Sequence, residues 1–157
     1  SPLEYTPEMV ADRVMVMTTT NGTRAILRAK DARVLLLGSF LNASAVAHVA
    51  RENGENIAIV CAGTNGKFSL DDILCSGAII SRLLELDGNQ YLDDLARTAL
   101  TLYESYKDDL RAALAGCAHV ERLRSLGMED DIRFCLQEDV MDAVPCYVDG
   151  VIRDSYA

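Results

Sequence analysis

Two stretches of this chain share one build: an apolar, strand-like run that empties into a short polar loop around Asn-Gly. The first is Val14-Met15-Val16-Met17 followed by Thr18-Thr19-Thr20-Asn21-Gly22-Thr23-Arg24. The second is Ile57-Ala58-Ile59-Val60 followed by Cys61-Ala62-Gly63-Thr64-Asn65-Gly66-Lys67. Each loop offers hydroxyls (Thr20 and Thr23 in one, Thr64 in the other), glycine backbone that a ligand can approach closely, and one cation, Arg24 or Lys67. A phosphate ester or another oxyanion needs that set of groups. The spacing is not that of a P-loop, because G-x-x-x-x-G-K-[ST] is absent. Asn-Gly also serves ordinary turns by supplying positive φ. Two such loops in one short chain favour a shared anion site over two unrelated turns.

Other residues could carry chemistry beside them. Asp71 and Asp72 open the helix that follows the second loop. They either complement the helix dipole, worth about 0.3–1 kcal/mol each, or hold a magnesium ion together with water and substrate oxygens. Arg24 suits bidentate contacts to phosphate, sulfonate or carboxylate, whereas Lys67 acts as a point charge. Cys61 ends a strand-like run, where a nucleophile could sit if its thiolate were stabilised; a packed thiol is the alternative. Asp139 and Asp142 read as solvated loop carboxylates. His48 and His119 are too few and too separate for a metal cluster.

The elements that must position these groups follow from hydrophobic pattern. Residues 13–17, 33–37 and 56–60 read as strands. Between the second and third, Asn42 can cap a helix that ends at Asn53-Gly54. Residues 25–29 allow no more than a helical turn. Alternation of strand, helix and strand predicts a parallel sheet. Right-handed crossovers then bring the loops after Met17, Leu37 and Val60 to one sheet edge, where ligands bind in open α/β sheets. The turn Gly38-Ser39-Phe40-Leu41-Asn42 is expected to face the same crevice. Beyond residue 68 the pattern turns helical. One helix starts at Ser69-Leu70-Asp71-Asp72 and ends near Asp87-Gly88. A long amphipathic helix follows Leu92, Leu95, Ala99, Leu102, Tyr106, Leu110 and Leu114. A helix over 118–125 comes next, then 129–136, whose pattern allows a short helix or a strand and favours the helix, then a hairpin turning at Asp149-Gly150. The expectation is a single α/β domain over 1–157: three-layer α/β/α, a largely parallel sheet, a helical second half and a C-terminal hairpin.

Composition removes several classes. The chain has 157 residues, half of them apolar, enough for one substantial core. Its whole net charge of −9 comes from residues 61–157, since residues 1–60 carry equal numbers of acidic and basic side chains. That argues against a nucleic-acid surface. No run reaches the ~20 apolar residues that span a bilayer, and no membrane association is expected. The five cysteines are odd in number and lack C-x-x-C spacing, so neither a disulfide framework nor a zinc site is implied; a reducing cytoplasm fits them.

The segments Ser-Pro-Leu-Glu-Tyr-Thr, Met-Thr-Thr-Thr-Asn-Gly-Thr-Arg-Ala, Gly-Ser-Phe-Leu-Asn-Ala-Ser-Ala-Val-Ala and Cys-Ala-Gly-Thr-Asn-Gly-Lys-Phe-Ser-Leu-Asp-Asp-Ile-Leu-Cys-Ser-Gly together resemble the 2-phosphosulfolactate phosphatase family, with 139–145 as a weaker match. The resemblance implies a magnesium-dependent phosphatase that releases 3-sulfolactate from its phosphate ester, or acts on a related 2-hydroxy-acid phosphate. In the family that step belongs to coenzyme M biosynthesis, and relatives occur where coenzyme M is not made. For that activity the residues read above are expected to serve as follows: Asp72, Arg24 and Lys67 as catalytic groups. Thr20, Asn21, Gly22, Thr23, Gly63, Thr64, Asn65 and Gly66 would bind the small anionic ester, and Asp71 and Asp72 would lie at the metal. In that family the Ser-Pro-Leu-Glu-Tyr segment follows an N-terminal α/β part, which is absent from this sequence. The expectation is therefore a C-terminal portion that pairs with such a segment or forms a homo-oligomer. Two other classes stay open: a non-catalytic anion-binding fragment, and a cysteine hydrolase using Cys61.

Overall fold

The computed structural model describes residues 1–54, 56–154 and 156. Its centre is a helix that is apolar on nearly every side. Leu70–Leu86 (α4, after α1 Pro7–Val10, α2 Gly22–Ala29 and α3 Ala43–Asn53) buries Ile73, Leu74, Ala78, Ile79, Ile80 and Leu83. A helix hydrophobic all round must be covered all round. Here α3 packs on one side and Asp94–Tyr106 (α5) on another. The α5 contact is close because residue 77 is glycine: a Cβ there would stand 2.2 Å from the Ala99 carbonyl oxygen and 2.5 Å from the Tyr103 Cβ. Tyr103, Leu110, Leu114, Val120 and Ile132 complete the main core around α4. The last four fall on or beside the short helices Leu110–Ala113 (α6), Ala118–Ser125 (α7) and Glu129–Cys135 (α8).

The long helix expected over 92–114 is two. The Leu102, Tyr106, Leu110 spacing runs on through the break, but the side chain of Asp109 accepts a hydrogen bond from the Ala112 amide at 3.0 Å and starts a new helix. By contrast, α2 is longer than a single turn. Its first turn is locked by Thr19 and Thr23, which exchange side-chain and amide hydrogen bonds at 3.1 Å each.

Pro145–Val148 (β1) and Val151–Asp154 (β2) form the expected hairpin, with Val148 opposite Val151 and positive φ at Asp149 and Gly150. One further stretch joins it. Leu37 donates to the Pro145 carbonyl at 2.8 Å and Tyr147 to that of Leu35 at 2.9 Å, so residues 35–37 run antiparallel to β1. The parallel sheet is not formed among the described residues. Residues 13–17 and 57–60 have strand composition but no strand partner, and Val14 and Val16 are more than 90% exposed. No helix among the described residues is long and apolar enough to cross a membrane.

Two polar side chains hold the turn before α3. Asn42 stands at the cap position but does not cap; its amide group donates to the carbonyls of Leu37 at 3.2 Å and Ala143 at 2.9 Å. The cap comes from 95 residues away. Asp139 accepts from the Ser44 amide at 2.6 Å and from the Arg82 guanidinium at 3.0 Å. It is thus a structural tie, not the solvated carboxylate expected from sequence. Burial works to raise its pKa, but the Ser44 amide and Arg82 outweigh that and hold it below the usual range.

Two outcomes follow. Gly77→Ala will lower unfolding stability by about 1–3 kcal/mol, because the added carbon overpacks the α4–α5 seam; urea denaturation midpoints check it. A depressed carboxyl stabilises the fold above its unfolded pKa of about 3.9 and loses that effect as pH falls through the folded value. Asp139→Asn will therefore be less stable than wild type near neutrality and lose less stability on acidification, measured by thermal melts across the acid range.

Candidate anion-binding site

The second Asn-Gly pair forms a tight two-residue turn. Thr64 and Lys67 exchange backbone hydrogen bonds at 3.0 and 3.1 Å, and Asn65 and Gly66 between them both have positive φ. Gly63 is also at positive φ, and a Cβ there would meet the Lys67 carbonyl oxygen at 2.6 Å, so only glycine fits. The turn reaches the first loop directly: the Asn65 amide donates to the Asn21 side-chain oxygen at 3.0 Å. That bond joins segments 44 residues apart and makes one site of the two loops.

Beside the joint lies a cleft of about 460 Å³. Arg24 and Lys67 border it, with Asn21, Gly63 and Gly66. So does Arg28, which the sequence argument missed; its spacing of four from Arg24 places both on one face of α2, and that was the available signal. No carboxylate lines this cleft, although the chain is strongly acidic. Among the described residues none of the three cations takes part in an ion pair. Thr20, Gly22, Thr23, Thr64 and Asn65 belong to the joined loops but do not line the cleft. The Gly38–Asn42 turn does not line it either, since its polar groups bind Leu37 and Ala143 instead.

The first turn of α4 supplies the acidic side. Asp72 accepts from the Gly63 amide at 2.6 Å, Asp71 accepts from the Ser69 hydroxyl, and the Thr64 and Ser69 hydroxyls bond at 2.9 Å. Two amides that the sequence offered to a ligand, those of Gly63 and Asn65, are thus taken by the protein's own oxygens. Burial raises the Asp72 pKa; the Gly63 amide opposes this, Asp71 adds to it, and His119 opposes it weakly. Asp72 faces a second, larger cleft of about 910 Å³. Residues 60–62 are the wall between the two clefts, touching both. The cations and Asp72 are therefore on opposite sides of one strand-like segment, linked through Gly63.

Consecutive helical residues diverge by about 100°, so Asp71 and Asp72 do not form a chelating pair by themselves. Among the described residues no group of three or more His, Cys, Asp or Glu gathers for a metal. Each of the two carboxylates keeps one oxygen beyond its protein hydrogen bond. That donor set fits magnesium, which takes one or two carboxylates and fills its octahedron with water and substrate oxygens; it does not fit a cation that needs an all-protein cage.

Cys61 bonds to the Ser76 hydroxyl at 3.3 Å, and Ser76 in turn donates to the Asp72 carbonyl at 2.8 Å. Although the residue is exposed, the side facing α4 is desolvated. That desolvation raises the thiol pKa, Ser76 opposes it, and Asp72 and Asp71 raise it further. Cys75 behind it is pushed up to about 12, mainly by burial. These shifts disfavour a thiolate and so weigh against the cysteine-hydrolase alternative.

Joined loops at a helix N-terminus, three cations without an ion pair among the described residues and two acidic helix-start residues mark this site in a mixed helix and strand chain. The chain belongs to the 2-phosphosulpholactate phosphatase family, whose model matches residues 1–150. It is 44% identical over 155 residues to a "Probable 2-phosphosulfolactate phosphatase" of Caldanaerobacter subterraneus subsp. tengcongensis, covering 99% of this chain and 64% of that protein. Relatives of the same name in Clostridium beijerinckii (40% over 152 residues) and Clostridium botulinum (42% over 147) are covered to 63% and 61%. The chain spans 97% and 94% of itself in those two matches and less than two thirds of each relative.

Replacing Asp72 by Asn removes a negative charge that raises the Cys61 pKa, so the thiolate fraction must grow. Iodoacetamide labelling at mildly alkaline pH, read by peptide mass spectrometry, will be faster at Cys61 in Asp72→Asn than in wild type. Cys75 will stay unlabelled in both until the chain unfolds.

Proposed function

We propose that the protein to which this chain belongs is a phosphoric monoester hydrolase acting on 2-phospho-3-sulfolactate or a closely related 2-hydroxy-acid phosphate, with magnesium as cofactor. The observation that carries this is the cleft at the joined loops: among the described residues, three cations without an ion pair and no carboxylate, in a chain of net charge −9. A substrate with phosphate, sulfonate and carboxylate groups has three anionic ends, and Arg24, Arg28 and Lys67 are three matching cations. The two arginines give planar, bidentate contacts, and Lys67 gives a movable point charge at the turn.

In the reaction, water attacks phosphorus in line with the ester oxygen, the P–O(ester) bond breaks, and the hydroxy acid leaves as an alcohol after taking up a proton. Inorganic phosphate is the other product. Arg24 and Lys67 bind the phosphoryl oxygens and oppose charge that grows on them, while the Gly63–Lys67 turn keeps Lys67 in place through Thr64. Asp71 or Asp72 would hold magnesium through its uncommitted oxygen, the other through a water of the ion's shell. Bound there, the ion would supply charge neutralisation and a more acidic water. Arg28, one turn further from the loop, would take the sulfonate or carboxylate.

The test is phosphate release from 2-phospho-3-sulfolactate, with magnesium or with EDTA. The chain would be assayed alone and after fusion to the part of the Caldanaerobacter relative that lies outside the match. Turnover is expected in the fused protein and lost in EDTA. Arg24→Ala and Asp72→Asn are each expected to lower kcat/KM by about 100-fold or more. Arg28→Ala is expected to raise KM more than it lowers kcat. Magnesium-independent turnover would remove the metal, and unchanged kcat/KM in both Arg24→Ala and Asp72→Asn would remove the site.

A further inference from the structure

The larger cleft has the form of an empty lane in a sheet. One wall is residues 33–38. Leu35 and Leu37 spend their backbone groups on β1, accepting from Tyr147 and donating to Pro145. Backbone groups of successive strand residues point to opposite edges. The N–H and C=O of Leu36 therefore point away from β1, and Leu36 lines the cleft. The other wall is residues 56–62. Among the described residues 57–60 make no backbone hydrogen bond, and Ile57, Ile59 and Val60 are 37–53% exposed. The floor has an apolar stretch, Val46 and Ala50 from α3 with Ile79 and Cys75 from α4, and polar residues beside it, Arg51 and Glu52 of α3 and Asp72 and Ser76 of α4. Gly38 marks how low the first wall sits, since a Cβ there would come within 2.8 Å of the Ile79 side chain.

Two unpaired backbone edges over one apolar floor, joined by a helix, are the parts of a β-α-β unit whose strands are not neighbours. Unpaired buried-type edges are costly, and proteins cover them. We propose that this cleft is a β-strand slot, and that its occupant is a strand from the third of the family's length that this chain does not span. The matched relatives are covered to only 61–64%, so the family possesses additional chain to supply it. The strand binds by backbone hydrogen bonds to Leu36 on one side and to 57–60 on the other, with alternate apolar side chains on the α3–α4 floor. Seated there, it completes a continuous sheet from β2 through β1 and 33–38 to the segment that carries the Gly63–Lys67 turn. This inference concerns assembly and rests on the unbonded strand edges rather than on the proposed reaction, although Asp72 lines the same cleft.

Hydrogen exchange tests it. The segment of the Caldanaerobacter relative outside the match is supplied as a separate polypeptide and, in parallel, fused to the chain through a flexible linker. In the chain alone, the amides of Leu36 and of residues 57–60 should exchange much faster than that of Leu37, which is already bonded to β1. With the segment present, Leu36 and the alternate amides of 57–60 that face the slot should slow by about 100-fold, in the separate or the fused form. Ala58→Pro and Ile59→Pro remove neighbouring donors that point to opposite edges, so one of the two should weaken binding of the separate segment at least severalfold and the other less. The helical circular dichroism of both should stay at the wild-type level, because residues 58 and 59 lie outside every helix. Absence of protection at these amides in both forms, or protection confined to other residues, overturns the proposal. Concentration-dependent protection at the same amides in the chain alone also overturns it, assigning the slot to a second copy.

Discussion

The burial of α4 is the constraint on which the other elements depend. Seventeen residues of helix offer apolar side chains in every direction, so the helix is stable only inside a cage of other elements. Gly77 sets how near α5 can come, and α3 closes the opposite flank. Because α4 cannot shift without opening both seams, its N-terminus is a fixed point. The bond from Gly63 to Asp72 and the hydroxyl pair Thr64–Ser69 hang the Asn65–Gly66 turn from that point. The turn then fixes Asn21, and through it the start of α2. Core packing thus reaches the cationic cleft in three steps.

Charge is sorted over a short distance. Residues 60–62 separate a cleft edged by Arg24, Arg28 and Lys67 from one that receives Asp72. The general acidity of the chain repels anions at long range, so an anion must be drawn by a local field. A groove free of carboxylates and edged by unpaired cations provides one. Where Asp72 and the cations meet, they do so through backbone dipoles of Gly63, not through an ion pair that would cancel both.

The two chain segments with the clearest strand composition are those least like strands in the structure. Val14 and Val16 are almost wholly exposed and 57–60 lie unpaired, although their alternation of β-branched residues is that of buried strands. Strand formation needs a partner, whereas a helix satisfies its own backbone. Helices α3, α4 and α7, the favoured helical reading of α8 and the hairpin at Asp149-Gly150 were accordingly legible, because apolar spacing, glycine stops and a two-residue turn are local signals. The break before α6 was not, because the Leu102–Tyr106–Leu110 spacing continues across it while only Asp109 marks the restart.

The amino-acid sequence by itself determined the family, the helical second half, the hairpin and the identity of the two Asn-Gly loops with Arg24, Lys67, Asp71 and Asp72. These rest on short-range patterns that hold wherever the segment sits. Tertiary structure alone decided that Asn21 and Asn65 touch, that Arg28 joins Arg24 and Lys67, and that Asp72 turns away from them. It also decided that Asp139, not Asn42, caps α3. The Asn21–Asn65, Arg28–Lys67 and Asp139–Ser44 pairings join residues tens of positions apart, and chain distance carries no information about which oxygen a buried amide will find.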